Sequence, residues 1–243
     1  MGKTTTCLAL GACLAELGRG VLLVDLDPQA HLTISLGIDP EKVRRSVGEA
    51  LLGNASLVSL SRETGVPGLD IAPANQDLAL VDKLLYASRG YEYHLKRRLA
   101  ALNGDLYDFV LIDCAPSFGA ATLNALTAAD LLLIPMQCEY YAARSLRRML
   151  ELARLVQRKT NARLRYQLLI TMYDRRNRIC RLIHEQLQRE LPHLLFKTEI
   201  DVDTKLRESP VYGQPITRYA PKSRGAEQYR ALARELTKNG SGA

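Results

Sequence analysis

Four residues near the start of the chain, Gly2-Lys3-Thr4-Thr5, have the types and order of a phosphate-binding loop. Backbone N–H groups of such a loop surround phosphate oxygens, and the positive end of the following helix adds to the attraction. The lysine ammonium reaches the outer phosphates, and the next hydroxyl ligates Mg²⁺. Because a helix can begin with this sequence for other reasons, further residues must support a nucleotide site.

Two carboxylates, Asp25 and Asp27, end the apolar segment VLLVDLDP and precede Pro28. In an open α/β sheet, ligands bind at the carboxyl ends of the strands. A carboxylate at such a place can hold a water ligand of a metal or orient an attacking water. Either aspartate alone would also fit a solvated turn.

A third carboxylate, Asp113, ends the apolar part of YDFVLIDCAPS. A single carboxylate at the tip of a buried strand fits the second magnesium-linked acid of P-loop NTPases, and a plain strand-end turn is the alternative. The order of the three motifs is harder to explain by turns, because a parallel sheet would bring all three to one edge. Together they predict nucleotide binding.

Short apolar runs alternate with helical patterns along the chain. We predict strands over 19–27, 68–74, 107–116, 130–137, 165–174 and 194–200. We predict helices over 4–17, 119–130, 143–159, 179–192 and 225–238, and a helix pair over 86–99. Near-continuous apolar strands are typical of a parallel sheet that is buried on both faces. The alternation predicts one doubly wound α/β domain over residues 1–243, with helices on both faces of a mostly parallel sheet and a frayed tail over 239–243.

Charge is distributed unevenly along the chain. Residues 163–243 contain 16 Lys and Arg against 9 Asp and Glu, whereas residues 1–162 contain 17 of each. Such an excess indicates a surface that faces a polyanion, with an ordinary solvated basic face as the alternative. The sequence contains no run of about 18 apolar residues, so it does not predict a membrane span. The five cysteines are scattered and odd in number, which favours a protein of the reducing cytoplasm. The four histidines lack the spacing of metal ligands.

The motifs also occur in the order found in one family. The segments GKTTT, VLLVDLDPQAHLT, YDFVLIDCAPSFGAATLNALTAAD and LLLIPMQCEYYAARSL resemble the ParA/Soj chromosome- and plasmid-partitioning ATPases of the ParA–MinD group. LLITMYDRRNRIC and KLRESPVYGQPITRYAPKSRGAEQYRALARELT are similar to the same family. The resemblance covers essentially the whole chain. It implies a P-loop NTPase that uses ATP and Mg²⁺ and hydrolyses ATP slowly.

The resemblance implies roles for the residues of the phosphate loop. Gly2 belongs to the loop itself, and Lys3 would bind the β- and γ-phosphates. Thr4 would ligate Mg²⁺, and Thr5 would hydrogen-bond the α-phosphate. Asp27 would position the hydrolytic water, so that Lys3 and Asp27 are the implied catalytic residues.

Further roles fall on the strand ends and on the adenine side of the site. Asp113 would be the Walker B acid, with a link to the metal, and Asp25 would lie in the outer shell of the metal. The adenine would rest near Met172, Tyr173 and the segment around Val202.

Two features depart from the family pattern. The family usually has Ile-Pro-x-Asn where this chain has the residues 200–203, Ile-Asp-Val-Asp, which puts the base contacts there in doubt. The family's loop also begins with Lys-Gly-Gly after a central strand, and its lysine reaches the phosphates of the partner in a dimer. Without that central strand, backbone polar groups of the two neighbouring strands would be buried and unpaired. Each such group costs about 1–3 kcal/mol. We therefore expect roughly 10–20 further residues ahead of Met1, enough for one strand and the first half of the loop. The intact mass of the endogenous protein checks this expectation.

The resemblance also implies partners. ParA-like proteins form an ATP-bound homodimer that binds non-specific DNA, and a ParB-like partner stimulates hydrolysis, which predicts a cytoplasmic protein associated with the nucleoid. Lysine and arginine neutralise phosphates irrespective of sequence. The basic residues that could contact DNA lie on the loop and helix after the fifth strand and before the last helix: Arg175, Arg176, Arg178, Arg181, Arg218, Lys222 and Arg224.

Three alternatives remain open. A MinD-like membrane switch requires an apolar insertion face on the last helix, where Tyr229, Leu232 and Leu236 fit packing on the sheet better. A scaffold that binds DNA or a partner without hydrolysing ATP is the second, and phosphate release would distinguish it. A small-molecule kinase or synthetase is the third, and it requires a substrate pocket that the sequence does not identify.

Overall fold

The computed structural model describes residues 2–102, 106–117, 119–139 and 142–240. The strands are β1 (Val21–Leu26), β2 (Arg62–Val66), β3 (Leu69–Ala72), β4 (Phe109–Cys114), β5 (Leu131–Met136) and β6 (Arg165–Ile170). The helices are α1 (Lys3–Glu16), α2 (His31–Ile34), α3 (Val47–Leu52), α4 (Leu57–Leu60), α5 (Leu78–Leu85), α6 (His94–Ala100), α7 (Ala120–Ala128), α8 (Ala142–Lys159), α9 (Arg178–Glu190), α10 (Lys205–Glu208), α11 (Ile216–Tyr219) and α12 (Arg224–Gly240). In the part of the chain described, no helix is both long and apolar enough to cross a membrane.

The strands form two sheets. One has the order β2-β3-β1-β4, in which β2 is antiparallel and the other strands are parallel, and the second consists of the parallel pair β5-β6. Helix α1 packs against β1, β4 and β5, so it lies across both sheets. This mostly parallel sheet with flanking helices confirms the predicted α/β class.

Each sheet ends in an unpaired strand edge within the described residues, at β4 in one sheet and at β5 in the other. Of the described residues, none forms a strand that pairs with the free edge of β4 or of β5. The thiol and alkyl side chains of these two strands are mostly half-buried, whereas β1 is buried along its whole length.

Alternate side chains of β1 enter two different cores. Val21 and Leu23 pack with α1 and α12 on one face of the sheet, and Leu22 and Val24 pack with α3, α5 and α7 on the other. Because successive side chains of a strand point to opposite faces, an unbroken apolar run is what a doubly covered strand requires. A Cβ atom at Gly11 of α1 would lie 2.8 Å from Leu23, so glycine allows the helix to approach the sheet.

Five of the six predicted strands are present, and the one over 194–200 is wrong. A 3-10 helix occupies Pro192–Leu194, and only isolated backbone contacts join the following residues to β6. The amides of Lys197 and Thr198 donate instead to the Glu235 carboxylate of α12, at 2.7 and 2.9 Å, which removes them from a strand ladder.

Other differences concern polar or short segments. Strand β2 was not predicted because RETGV is polar and exposed. Of the predicted helix pair over 86–99, only α6 is an α-helix, and a 3-10 turn at Tyr91–Tyr93 precedes it. Helix α12 extends through Gly240, and 241–243 lie outside the described residues, so the fraying of the tail stays a prediction.

Candidate nucleotide site

The phosphate loop residues form the first turn of α1. Gly2 precedes the helix with φ of 73°, in the left-handed region that favours glycine, and its carbonyl accepts the N–H of Thr6 at 2.8 Å. Because the N-cap residue is glycine, it supplies no side-chain cap to this end of the helix. The first N–H groups of an α-helix have no acceptor within the helix, and the helix dipole favours negative charge there. The sequence around Lys3 therefore provides an anion-binding helix terminus.

The carboxylates of β1 and β4 come together beside this terminus. Asp25 and Asp113 are direct neighbours in the parallel register of the two strands. Lys3, Thr4, Asp25 and Asp27 all lie close enough to Asp113 to influence the pKa of its carboxyl group. The three sequence motifs, which are far apart along the chain, thus meet at one edge of the sheet.

Burial controls the charge of the two strand-end acids. Burial raises the pKa of Asp25, against the hydrogen bonds from Thr33 and Asp27 that lower it. For Asp113, burial is again the largest cause and raises the pKa to about 7, while Thr4 lowers it and the neighbouring Asp25 and Asp27 raise it further. Any cation that enters the site would lower the pKa of such a buried acid and favour its ionised form.

This raised pKa predicts how stability depends on pH. Because the native pKa of Asp113, about 7, lies above the 3.8 of a carboxyl group in water, its contribution to stability is fully present below pH 3.8 and is lost as the pH rises from there through about 7. Asp113→Asn cannot ionise and should remove this loss, which amounts to at most roughly 4 kcal/mol. Urea unfolding of both proteins at a series of pH values, without nucleotide or Mg²⁺, measures the difference. Parallel curves for the two proteins would contradict the prediction.

The donor set fits Mg²⁺ better than a metal held by the protein alone. The Oδ2 atom of Asp113 is buried and has no hydrogen-bond partner among the described residues. In the same part of the chain, no three His, Cys, Asp or Glu side chains are arranged to hold a metal ion. Mg²⁺ commonly takes one or two carboxylates together with waters and substrate phosphates. The hydroxyl of Thr4 and the free oxygen of Asp113 are ligands of this kind.

A cavity of about 200 Å³ opens next to the phosphate loop. It continues from Gly2 and Thr5 to the chain after β6, where Met172 adopts a left-handed φ of 52°. Its other lining residues come from β6 to α12: Thr171, Ile200, Asp201, Val202, Asp203, Leu206, Arg207, Pro210 and Tyr229. The cavity therefore connects a site for phosphate with a largely apolar compartment, as a nucleotide requires.

The residues assigned to the adenine differ in their position relative to the cavity, and their contact with the base stays a prediction. Met172 and Val202 line the cavity, but Tyr173 does not. The Tyr173 ring packs against His184 at 4.9 Å between centroids and lies under the guanidinium of Arg175.

Several lining residues were missed by sequence analysis. Leu206, Arg207 and Pro210 belong to short helical turns without a periodic pattern. Tyr229 was predicted to pack in the core, and it is buried there, with its hydroxyl 2.9 Å from that of Thr6 in α1. Helical spacing revealed that Tyr229 is buried but not that it borders the cavity.

The seven predicted DNA-contacting residues fall into two groups. Three are engaged with acids: Arg175 with Glu199 and Asp201, Arg176 with Asp174, and Arg224 with Asp201. Within the described ranges, no ion pair engages the other four, which are Arg178, Arg181, Arg218 and Lys222. The positive charge available to a polyanion is therefore smaller than the sequence indicates.

Asp201 links the basic residues to the cavity. Its carboxylate is buried and lies 3.6 Å from both Arg175 and Arg224, which come from distant segments. Arg224 also donates to the carbonyl of Val202 at 2.7 Å, and Val202 lines the cavity. Asp201 and Val202, which line the cavity, thus also contact arginines of the basic surface.

Comparison with known proteins shows the family of the chain. An AAA domain family matches residues 1–166. The sporulation initiation inhibitor protein Soj of Bacillus subtilis is 42% identical over 241 residues, which are 99% of this chain and 95% of Soj. The chromosome partitioning protein ParA of Caulobacter vibrioides is 37% identical over 239 residues, which are 97% of this chain and 89% of ParA. The chain belongs to the ParA/Soj family of partitioning ATPases.

A solved structure of a similar protein contains an ATP analogue and magnesium. The cobyrinic acid a,c-diamide synthase from Mycobacterium smegmatis, solved with a bound ATP analogue and magnesium, superposes with a TM-score of 0.86 and is 40% identical. The match covers 99% of the ParA/Soj-type chain and 91% of the synthase. A protein of this fold and this level of identity accommodates an ATP analogue together with magnesium.

Proposed function

We propose that the protein is an ATPase that acts as an ATP-dependent dimerisation and DNA-binding switch in chromosome or plasmid partitioning. The observation that carries this proposal is the convergence of Lys3, Asp25 and Asp113 at the open end of α1. Family membership supports the same conclusion, because the relatives Soj and ParA match over nearly the whole chain.

Each residue of the site has a task that its surroundings support. The N–H groups at the start of α1 and the Lys3 ammonium bind the phosphates of ATP. Mg²⁺, when bound, neutralises charge that develops on those phosphates, and Thr4 and Asp113 would hold it. The cavity lined by Met172 and Val202 takes the base.

Asp27 orients the water that attacks the terminal phosphate. Its Oδ1 atom accepts the N–H of Gln29 at 2.9 Å, and this bond fixes the direction of the carboxylate after β1. The side chain is almost completely buried and close to Asp113. A carboxylate fixed in this way can accept a hydrogen bond from the nucleophilic water.

DNA binding is assigned to the surface formed by the loop before α9 and the segment from α11 to the start of α12. Asp201 joins these two regions through Arg175 and Arg224. Phosphate contacts made by arginine and lysine give an affinity that falls steeply with salt. A ParB-like partner would stimulate hydrolysis and thereby release the dimer from DNA.

Fluorescence anisotropy with a non-specific DNA duplex tests this function. Binding is expected with Mg²⁺ and a slowly hydrolysed ATP analogue, and not with ADP. The affinity should fall by about three orders of magnitude or more between about 50 and 200 mM salt if six or more phosphates are contacted. Equal binding with ADP, or binding that is insensitive to salt, would contradict the proposal.

The ion pairs at Asp201 predict the effect of one substitution on DNA binding. Asp201→Asn removes a carboxylate charge that both Arg175 and Arg224 face. Arg224 then becomes available to phosphate, whereas Arg175 still pairs with Glu199. The salt dependence of log K should steepen by up to about 0.9 per additional phosphate contacted.

Glu63→Gln is the control for net charge, since Glu63 lies on β2 at the opposite end of the main sheet. It changes the formal charge by the same amount and should leave the salt dependence unchanged. Equal effects of the two substitutions would mean that overall charge alone is responsible.

The membrane-switch alternative is less well supported by the last helix. Tyr229 and Leu232 of α12 are fully buried against α1, and Leu236 packs on the same core. Flotation with uncharged liposomes distinguishes the two functions, because a DNA switch, whose basic surface requires anions, stays unbound in that assay. Phosphate release by the purified protein distinguishes an ATPase from a binding scaffold.

A further inference from the structure

Thr33 is a buried residue of the site to which the proposed function assigns no role. It lies in the short helix α2 and has no exposed surface. A turn after β1, in which the Ala30 N–H donates to the Asp27 carbonyl at 2.8 Å, brings the chain back toward the strand end. Ala30 has a left-handed φ of 52° in this turn, an unusual conformation for a residue with a side chain.

Two groups of Thr33 bind the same oxygen of Asp25. The Thr33 N–H lies 2.9 Å from Asp25 Oδ2, and the Thr33 hydroxyl lies 2.7 Å from it. The hydroxyl oxygen also accepts the N–H of Ala74, at 3.0 Å, from the chain after β3. Because a backbone N–H can only donate, it leaves the hydroxyl proton to point at Asp25.

These contacts decide which oxygen of Asp25 remains available. Oδ2 receives two hydrogen bonds from Thr33, which occupy its two lone pairs. Oδ1 accepts only the N–H of Asp27, at 3.1 Å, among the described residues. One lone pair of Oδ1 is therefore free, on the carboxylate that neighbours Asp113 in the sheet.

We propose that Thr33 is a positioning residue that orients Asp25, so that Oδ1 serves the hydrated Mg²⁺ of the nucleotide complex. This proposal rests on the proposed function, because it requires that Mg²⁺ and ATP bind at the site. The hydroxyl of Thr33 joins the carboxyl ends of β1 and β3 and fixes the carboxylate before any ligand enters. Groups that orient the ligands of a metal contribute to its affinity, and their loss lowers affinity or activity by about 10- to 100-fold.

Three variants test the role of Thr33. Thr33→Val keeps the shape of the side chain and removes the hydroxyl, and Thr33→Ser restores the hydroxyl. Ser35→Ala is the control, because among the described residues the Ser35 hydroxyl bonds only the His31 carbonyl of the same segment, at 2.7 Å. Each protein is titrated with Mg²⁺ in the presence of a fluorescent, slowly hydrolysed ATP analogue, and binding of the analogue in EDTA is measured separately.

Thr33→Val is expected to require about tenfold more Mg²⁺ or higher, with its affinity for the analogue in EDTA unchanged. Thr33→Ser and Ser35→Ala should remain close to the wild type. If Thr33→Val does not fold, Thr33→Ala removes the same hydroxyl with less crowding and replaces it in the comparison.

Two outcomes would overturn the inference in different ways. An unchanged Mg²⁺ requirement in the hydroxyl-free variant, with Mg²⁺-dependent binding intact in the wild type, rejects the role of Thr33 alone. A wild-type protein whose binding of the analogue does not depend on Mg²⁺ rejects the proposed function together with the inference.

Discussion

Replacing Lys3 with alanine is expected to remove nearly all binding and hydrolysis of ATP. The ammonium group at the start of α1 lies close to Asp113 and is the cation that the phosphates would meet. A hydrogen bond to a charged group contributes about 1.5–3 kcal/mol, which corresponds to a loss of affinity of about 10- to 100-fold. Loss of a group that stabilises charge in the transition state lowers kcat by a further factor of about 100 to 1,000.

The matched control for this substitution is Lys42→Ala. Lys42 is exposed at the end of a 3-10 turn and pairs only with Asp39, at 3.2 Å, among the described residues. It should leave nucleotide affinity and phosphate release unchanged. Isothermal titration with the ATP analogue and a phosphate-release assay measure both properties. Wild-type affinity in Lys3→Ala would place the phosphates elsewhere on the protein.

Replacing Asp27 with alanine is expected to separate binding from hydrolysis. If Asp27 orients the attacking water, its removal should lower the rate of phosphate release by about 100-fold or more while the affinity for ATP changes little. The variant would then remain in the ATP state, and its complex with DNA should persist when ATP itself, rather than an analogue, is supplied.

Asp39→Ala provides a control with similar local geometry. The Asp39 carboxylate accepts the N–H of Glu41 at 3.1 Å, as Asp27 accepts that of Gln29 at 2.9 Å. Both substitutions therefore remove a carboxylate that stabilises a turn, but only Asp27 lies near Asp113. A similar loss of hydrolysis in the two variants would show that the turn, and not the orientation of water, matters.

The main elements of the fold could be predicted from the sequence because β1, β4, β5 and β6 are apolar runs. Side chains of β1 alternate between two cores, so every position of Val21–Leu26 must tolerate burial, and Asp25 and Asp27 stand out against that background. The segment over 194–200 is also apolar, but its amides are taken by Glu235 from a helix far along the chain. A contact between residues so far apart in the chain cannot be recognised from the sequence of either segment.

The part of the candidate site that could be predicted consists of acidic residues at the ends of predicted strands. Asp25 and Asp113 are adjacent because parallel strands bring their carboxyl ends to one edge. The role of Thr33 and the place of Tyr229 beside the cavity were not recognised, because both depend on contacts made after the chain has folded back. The ion pairs of Arg175 and Arg224 with Asp201 were hidden in the same way.

A crystal structure of the protein with a slowly hydrolysed ATP analogue and Mg²⁺ tests the central claim most directly. We expect the triphosphate at the start of α1, with Lys3 on its outer phosphates, Thr4 and Asp113 at the metal, and the base in the cavity beside Met172. A nucleotide bound on another face, with Lys3, Asp27 and Asp113 not in contact with it or its metal, would contradict the account.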